Sequence, residues 1–449
     1  YYRHLGEPKQ LCFLSEFGFG GLEDLPDVIA QYGEARTSAK DARFLQRALE
    51  QAQIGFAGRE LGRVFGDFSA FVKAIQQLQC EAARWQMDAC RMNPKLAGYC
   101  YTQLCDAGHE IGAGVLDHWR RPKPIFHSLK KVQSSLRPLI DIPRTNLLPR
   151  EQVPVTITVL NEKPTEGRVD LTLQVISPTN QVLRKKKKTL PMPRSGKRLW
   201  SGTIAASGTP GTHRFLVRLM KGAKVLAQNE VEFYVVGEVE PCEVGVHVLD
   251  PYEEWQARCA ALARITDRTP LIYLVPPLAN TIRAYPAEAL VQILADVREG
   301  AVALVFGPPD DWNDLADRIG PALRASSKDA VGAFLGVYHY AKLHPVFDGL
   351  PSRCLMRQIY RNVVPAKTFT ETGDEDICGA FDTRYLAAGH YMTSEAPAWG
   401  SDILVRRYGS GRVVFTHLRI LEHLEDDPVA RRLLVNLSLI HISEPTRPY

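Results

Sequence analysis

The stretch Gln10-Leu11-Cys12-Phe13-Leu14-Ser15 is short and apolar, and Gly18, Gly20 and Gly21 close it, as a buried strand running into a loop would be closed. Working outward, Phe71, Ile75, Leu78, Ala82, Trp85 and Ala89 recur at alternating steps of four and three. That spacing sets them on one helix face and predicts the face to be core. Asn93-Pro94 ends the helix, and Ala97-Gly98-Tyr99-Cys100-Tyr101-Thr102-Gln103-Leu104 reads as a second buried strand. Strand, helix and strand without hairpin turns imply a parallel sheet with helical cover over residues 1–133.

Two further regions read differently. In residues 138–237, short strands at Val153 to Leu160, Val169 to Ile176, Gln181 to Arg184, Arg214 to Met220 and Val231 to Val236 are separated by Gly, Pro, Asn and Lys turns. That spacing predicts an immunoglobulin-like β-sandwich. Its one charge block, Arg184 to Lys188, lacks interleaved aromatics and reads as an edge strand guarded by lysines. In residues 241–436, apolar runs at Val244 to Leu249, Pro270 to Val275 and Ala301 to Phe306 alternate with helical stretches at Glu254 to Ile265 and Ala287 to Arg298. This predicts a doubly wound α/β domain. Ile403 to Tyr408 and Arg412 to His417 flank Gly409-Ser410-Gly411, a hairpin signal.

The chain has 449 residues, 45% hydrophobic and 23% charged, which excludes a disordered, collagen-like or coiled-coil chain and calls for several domains. A net charge of +5 is the small difference between 55 basic and 50 acidic residues, too dilute for a nucleic-acid footprint. No apolar run has the length of a membrane helix. The nine cysteines are odd in number and irregularly spaced, which fits free thiols better than a disulfide framework. Two features make a fragment the expectation: the first residues, Tyr1-Tyr2-Arg3-His4, carry no initiator Met, and residues 437–449 resemble the translation of a sequencing-library adapter.

The sharpest chemical signal is Ser15-Glu16-Phe17-Gly18 at the end of the first strand. A carboxylate there projects into the mouth where barrel and α/β enzymes keep their sites. A helix cap or a buried ion-pair partner is the competing reading of Glu16. Gly18-x-Gly20-Gly21 lacks the full Gly-x-Gly-x-x-Gly phosphate-loop pattern. His247-x-x-Asp250, His339 with His344, and Cys100 with Cys105 lack paired zinc-ligand spacings, and no ligand set for a cofactor is expected.

Ser15-Glu16-Phe17-Gly18 resembles the nucleophile motif of glycoside hydrolase family two, which includes β-galactosidases, β-glucuronidases and β-mannosidases. Gly98-Tyr99-Cys100-Tyr101-Thr102-Gln103-Leu104-Cys105-Asp106 resembles the Gly-x-x-Tyr-Thr-Gln-Leu-x-Asp run on the last barrel strand of one branch, with Glu110 where that branch has an acidic residue. The segment from Gly114 to Pro124 resembles the one that leaves the barrel, with one extra residue between Glu110 and Asp117.

The resemblance implies that residues 1–133 are the C-terminal part of a (β/α)8 barrel in a retaining exo-β-glycosidase acting on a β-linked glycoside or oligosaccharide. Glu16 would be the nucleophile, and Tyr101, Gln103 and Asp106 would contact the substrate. The family's acid/base is an Asn-Glu pair. Residues 1–15 hold only Glu7, so the pair is expected upstream of Tyr1. A non-catalytic carbohydrate-binding or scaffold protein is the rival reading. His344 to Pro351 and Tyr408 to Val413 resemble segments of class I amidotransferase-like domains of the trehalose-utilisation type. None of Cys242, Cys259, Cys354 and Cys378 sits in a Gly-x-Cys-x-Gly elbow, so that domain is expected to be catalytically silent.

Overall fold

Strands β1 (Cys12–Phe17) and β2 (Leu96–Tyr101) pair in parallel, with Leu14 opposite Tyr99 and Phe17 opposite Tyr101. Parallel neighbours need a long crossover, and here it is helical: α1 (Leu25–Ala30), α2 (Lys40–Gly58), α3 (Gly62–Phe65) and α4 (Phe68–Met92). The computed structural model describes residues 11–107, 111–162, 167–238, 246–251, 253, 255, 258, 272–277, 285–308, 312–320, 323–330, 336–383 and 398–439. Among these residues the barrel expectation is met only by the parallel pair and its crossover, and no barrel closes. One face of the pair is therefore open, leaving Leu11 70% and Phe13 65% exposed.

Helix α4 starts where the Asp67 carboxylate accepts the Ala70 N–H at 2.7 Å, a cap that satisfies one orphan donor. The single core face expected for it is corrected to two. Phe71 and Ile75 pack with Tyr338, Tyr340 and Phe381 far along the chain. A second line, Gln76, Gln79, Ala83, Met87 and Cys90, is buried on the side of the strand pair and α5 (Pro124–Val132). Leu78, Ala82 and Trp85, from the expected stripe, are only partly buried. Two glutamines on the second line disguise it as polar.

Residues 136–235 form two packed sheets. One is β3 (Leu136–Asp141), β5 (Gln152–Asn161) and β8 (Lys197–Ala205); the other has the order β4-β10-β9-β6-β7, with β4 (Asn146–Leu147), β6 (Arg168–Ile176), β7 (Val182–Pro191), β9 (Gly211–Lys221) and β10 (Lys224–Val235). Alternate residues of β5 (Val153, Val155, Ile157, Val159) meet those of β6 (Val169, Leu171, Leu173, Val175), as period-two strands facing one core must. The block Arg184 to Lys188 lies on the edge strand β7, every side chain of it exposed. Lys187 there pairs with Asp170 at 2.9 Å.

In the third region β11 (Val246–Val248), β12 (Ile272–Val275), β13 (Val302–Phe306) and β21 (Gly411–Thr416) run parallel, and β20 (Ile403–Tyr408) joins β21 antiparallel. Both faces carry helices. Ile272, Leu274, Val302 and Leu304 meet the helix Pro428–Leu439, and Tyr273, Val275, Ala303 and Val305 meet the helices Ala287–Arg298 and Trp312–Ile319. A second sheet amends the doubly wound expectation. It has the order β14-β17-β19-β18-β15-β16: β14 (Ser327–Asp329), β15 (Val337–Ala341), β16 (Cys354–Leu355), β17 (Lys367–Phe369), β18 (Cys378–Asp382) and β19 (Ala398–Ser401). Its pairings are antiparallel. Most of its strands are three to five residues long, too short for periodicity to register.

This sheet is what α4 packs against, so the N-terminal helices and the third region share a core. Arg59, at the end of α2, fastens the seam by donating to Tyr340 Oη (3.1 Å), Asp376 Oδ1 (3.2 Å) and Ser401 Oγ (3.3 Å). The last helix runs through Leu439 and buries Leu437, so the first residues of the expected tail are helical. The expected helix Glu254 to Ile265 falls largely, and residues 440–449 wholly, outside the described residues.

Candidate active site

Glu16 is the penultimate residue of β1, next to an irregularity in register between Leu14 and Phe17 that turns both Ser15 and Glu16 to the exposed side. Phe17 is turned the other way and packs edge-on against Tyr99 and Tyr101, each at 5.5 Å between ring centroids. The Glu16 carboxylate has no hydrogen bond or ion pair among the described residues. It is not a helix cap, since α1 begins only at Leu25, and it is not buried. An exposed carboxylate on the open side of a parallel pair is free to meet a ligand.

The loop after Glu16 is held from α4. Gln76 donates to Leu22 O (2.9 Å), Gln79 to Phe19 O (3.0 Å) and Gln86 to Gly18 O (2.9 Å). Three amides spaced along one helix thus satisfy carbonyls of a glycine-rich loop that has few backbone partners of its own. Gly21 is required there, because a Cβ would collide with the Gln79 side chain.

A second loop closes over the first. Asp106 is fully buried, its Oδ2 2.9 Å from Lys123 Nζ and its Oδ1 accepting from Gly112 N (2.8 Å) and Gly114 N (2.6 Å). Gly21 N donates to Gly112 O at 2.5 Å, which joins the two loops. Beside this pair lies Glu23, also fully buried, with Oε2 accepting from His118 N at 2.9 Å. Burial first, and then the charge of Asp106, push Glu23 up to about 8, so it carries its proton at neutral pH.

The four candidate residues therefore occupy different positions. Glu16 is on the open face. Tyr101 is on the opposite, helix-facing side with Phe17, its hydroxyl 3.5 Å from Phe19 O and pushed well above its ordinary range by burial. Gln103 follows a cis bond after Thr102; its N–H donates to Ala113 O and its side chain is half-buried. Asp106, expected to contact substrate, anchors the loop here: both its oxygens are engaged, and it is fully buried. Glu110 and Glu7 lie outside the described residues.

Sequence reading missed Gln76, Gln79, Gln86, Glu23 and Lys123. The one available signal was a set of glutamines recurring at helical spacing between apolar neighbours. In the third region, Cys354 lies on β16 and Cys378 on β18, neither at a strand-to-helix elbow. Burial pushes the Cys354 thiol up to about 11, and that of Cys378 well above its ordinary value. Cys242 and Cys259 lie outside the described residues. Among the described residues no group of His, Cys, Asp and Glu gathers to hold a metal, and no helix is long and apolar enough to cross a membrane.

No protein-family model and no curated protein matches the chain. Solved structures do. A β-D-mannosidase from Dictyoglomus thermophilum is similar at 16% identity and a TM-score of 0.36, over 53% of this chain and 29% of that one. A glycosyl hydrolase family 2 member from Bacteroides cellulosilyticus DSM 14838 is similar at 11% identity and 0.20, over 41% and 38%. A putative β-galactosidase from Bacteroides fragilis is similar at 12% and 0.19, over 40% and 26%. The chain spans well under half the length of each of these three structures.

Proposed function

We propose that this chain is the part of a retaining exo-β-glycosidase of the family-two type that carries the nucleophile, Glu16. The observation that supports the reading is the Glu16 carboxylate itself, exposed and uncommitted on the open side of a parallel strand pair, before a loop clamped by three glutamines. The three stretches that resemble the family also converge. Phe17 of the first packs against Tyr99 and Tyr101 of the second, and Asp106 of the second meets Lys123 of the third.

In this reading Glu16 attacks the anomeric carbon of a β-linked glycoside while a protonated carboxyl about 5 to 5.5 Å away protonates the leaving oxygen. A glycosyl ester on Glu16 forms, and water attacks it once the second carboxylate has taken a proton from that water. The second group is placed upstream of Tyr1. Gln103, half-buried beyond the end of β2, is the remaining candidate for a sugar hydroxyl. The third region acts as an amidotransferase-like accessory without chemistry of its own. In the intact parent protein, Glu16→Gln lowers turnover of aryl β-glycosides by about a thousandfold or more while the fold is kept. Undiminished turnover in that variant overturns the assignment, and an intact parent that binds sugars without turnover favours the carbohydrate-binding alternative.

A further inference from the structure

Between α4 and the second sheet of the third region lies a cavity of about 470 Å³, within the range that takes a small organic ligand. One side is apolar, with Leu78, Trp85, Val337 and Met356 on it. His339, itself only 5% exposed, is part of the lining, and its Nδ1 lies 2.8 Å from Oδ2 of the fully buried Asp402. With Nδ1–H given to that carboxylate, the ring is fixed in one tautomer and its Nε2 is left as an acceptor without a partner among the described residues. Arg361 and Arg419 also line the cavity, drawn together where Arg419 N donates to Val363 O at 2.9 Å. Neither guanidinium has a hydrogen bond or ion pair among the described residues. Glu81, the carboxylate on this wall, is instead consumed by a two-pronged pair with Arg357.

Each part of the lining asks for a different part of one molecule. Two uncommitted guanidinium groups call for a carboxylate. An apolar wall with an indole calls for a flat hydrocarbon body. A buried histidine whose free nitrogen accepts calls for a hydroxyl. We propose that this cavity is a binding site for a phenolic carboxylic acid, with the carboxylate on Arg361 and Arg419, the ring against Trp85 and Met356, and the phenol donating to His339 Nε2. The site is separate from Glu16 and does not depend on the glycosidase reading.

Calorimetric titration of the full chain tests it with three probes: 4-hydroxyphenylacetate, phenylacetate, which lacks the hydroxyl, and 4-(2-hydroxyethyl)phenol, which lacks the carboxylate. Saturable binding is expected for the first, with about tenfold weaker binding for each of the others. The double variant Arg361→Ala, Arg419→Ala changes two exposed side chains, leaves the melting temperature in place and weakens the first probe about tenfold or more. His339→Phe narrows the gap between 4-hydroxyphenylacetate and phenylacetate. No binding of 4-hydroxyphenylacetate at low millimolar concentration, equal binding of all three probes, or unchanged binding by the arginine variant overturns the proposal.

Discussion

The sandwich and the N-terminal unit solve the same problem in opposite ways. The sandwich has eight strands and closes a core drawn almost wholly from its own inner faces. The N-terminal unit has two strands, which cannot bury their own helices, and it completes its core with Tyr338, Tyr340, Leu355 and Phe381 of the third region. The side of its strand pair that no helix covers among the described residues is the side that presents Glu16. Self-sufficiency in one region and borrowed cover in the other leave an open face on the strand pair, where the chemistry is proposed.

The largest effect expected of a single change tests the borrowed cover. Phe71 is fully buried and stacks obliquely on Phe381 at 5.6 Å, so Phe71→Ala costs about 3 to 5 kcal/mol. Hydrogen exchange should rise along α4 and β15 while β9 and β10 keep their protection; equal loosening of the sandwich would show that the two regions unfold as one. Next, Asp106→Asn leaves Lys123 buried without its charge partner and costs about 3 kcal/mol, read as a loss of melting temperature. A neutral outcome would mean that the two loops are held by backbone contacts alone.

A smaller effect per pH unit comes from Glu23. Its folded value of about 8 exceeds its ordinary 4.5, so between those values the folded chain keeps a proton that the unfolded chain releases. Stability therefore falls as pH rises through that window, by up to about 1.4 kcal/mol per pH unit. Glu23→Gln should match the wild type near pH 4.5, exceed it by pH 8 and show a flatter pH profile; parallel profiles would refute the buried-proton account. The smallest effect belongs to the sandwich edge. Lys185→Thr with Lys188→Thr, both exposed on β7, should move stability by less than about 0.5 kcal/mol yet raise light scattering on concentration.

Much of the architecture was legible in the residues. The apolar run before Gly18 is β1, the helix Ala287–Arg298 has the expected bounds, and the Gly409-Ser410-Gly411 hairpin joins β20 to β21. What escaped was long-range. The second face of α4 was hidden because Gln76 and Gln79 read as polar, although each is buried by a carbonyl contributed from the loop. The second sheet of the third region was missed because its strands are short and its partners lie far apart in the chain, such as Ala380 opposite both His339 and Gly400. At the site, a carboxylate at a strand end could be picked out for Glu16. Nothing local told that Asp106 would be spent on Lys123, or that alternation along β2 would turn Tyr101 toward Phe17 and away from the open face.

A nucleophilic Glu16 would form a bond to the anomeric carbon of the sugar, and covalent trapping would capture that bond. The intact parent protein would be incubated with activated 2-deoxy-2-fluoro β-glycosides of the gluco, galacto and manno series, then weighed intact and mapped by peptide fragmentation. One added fluoroglycosyl group is expected, carried on the peptide that contains Glu16 and absent from Glu16→Gln. A label on any other carboxylate, or an active parent that never acquires one, would contradict it.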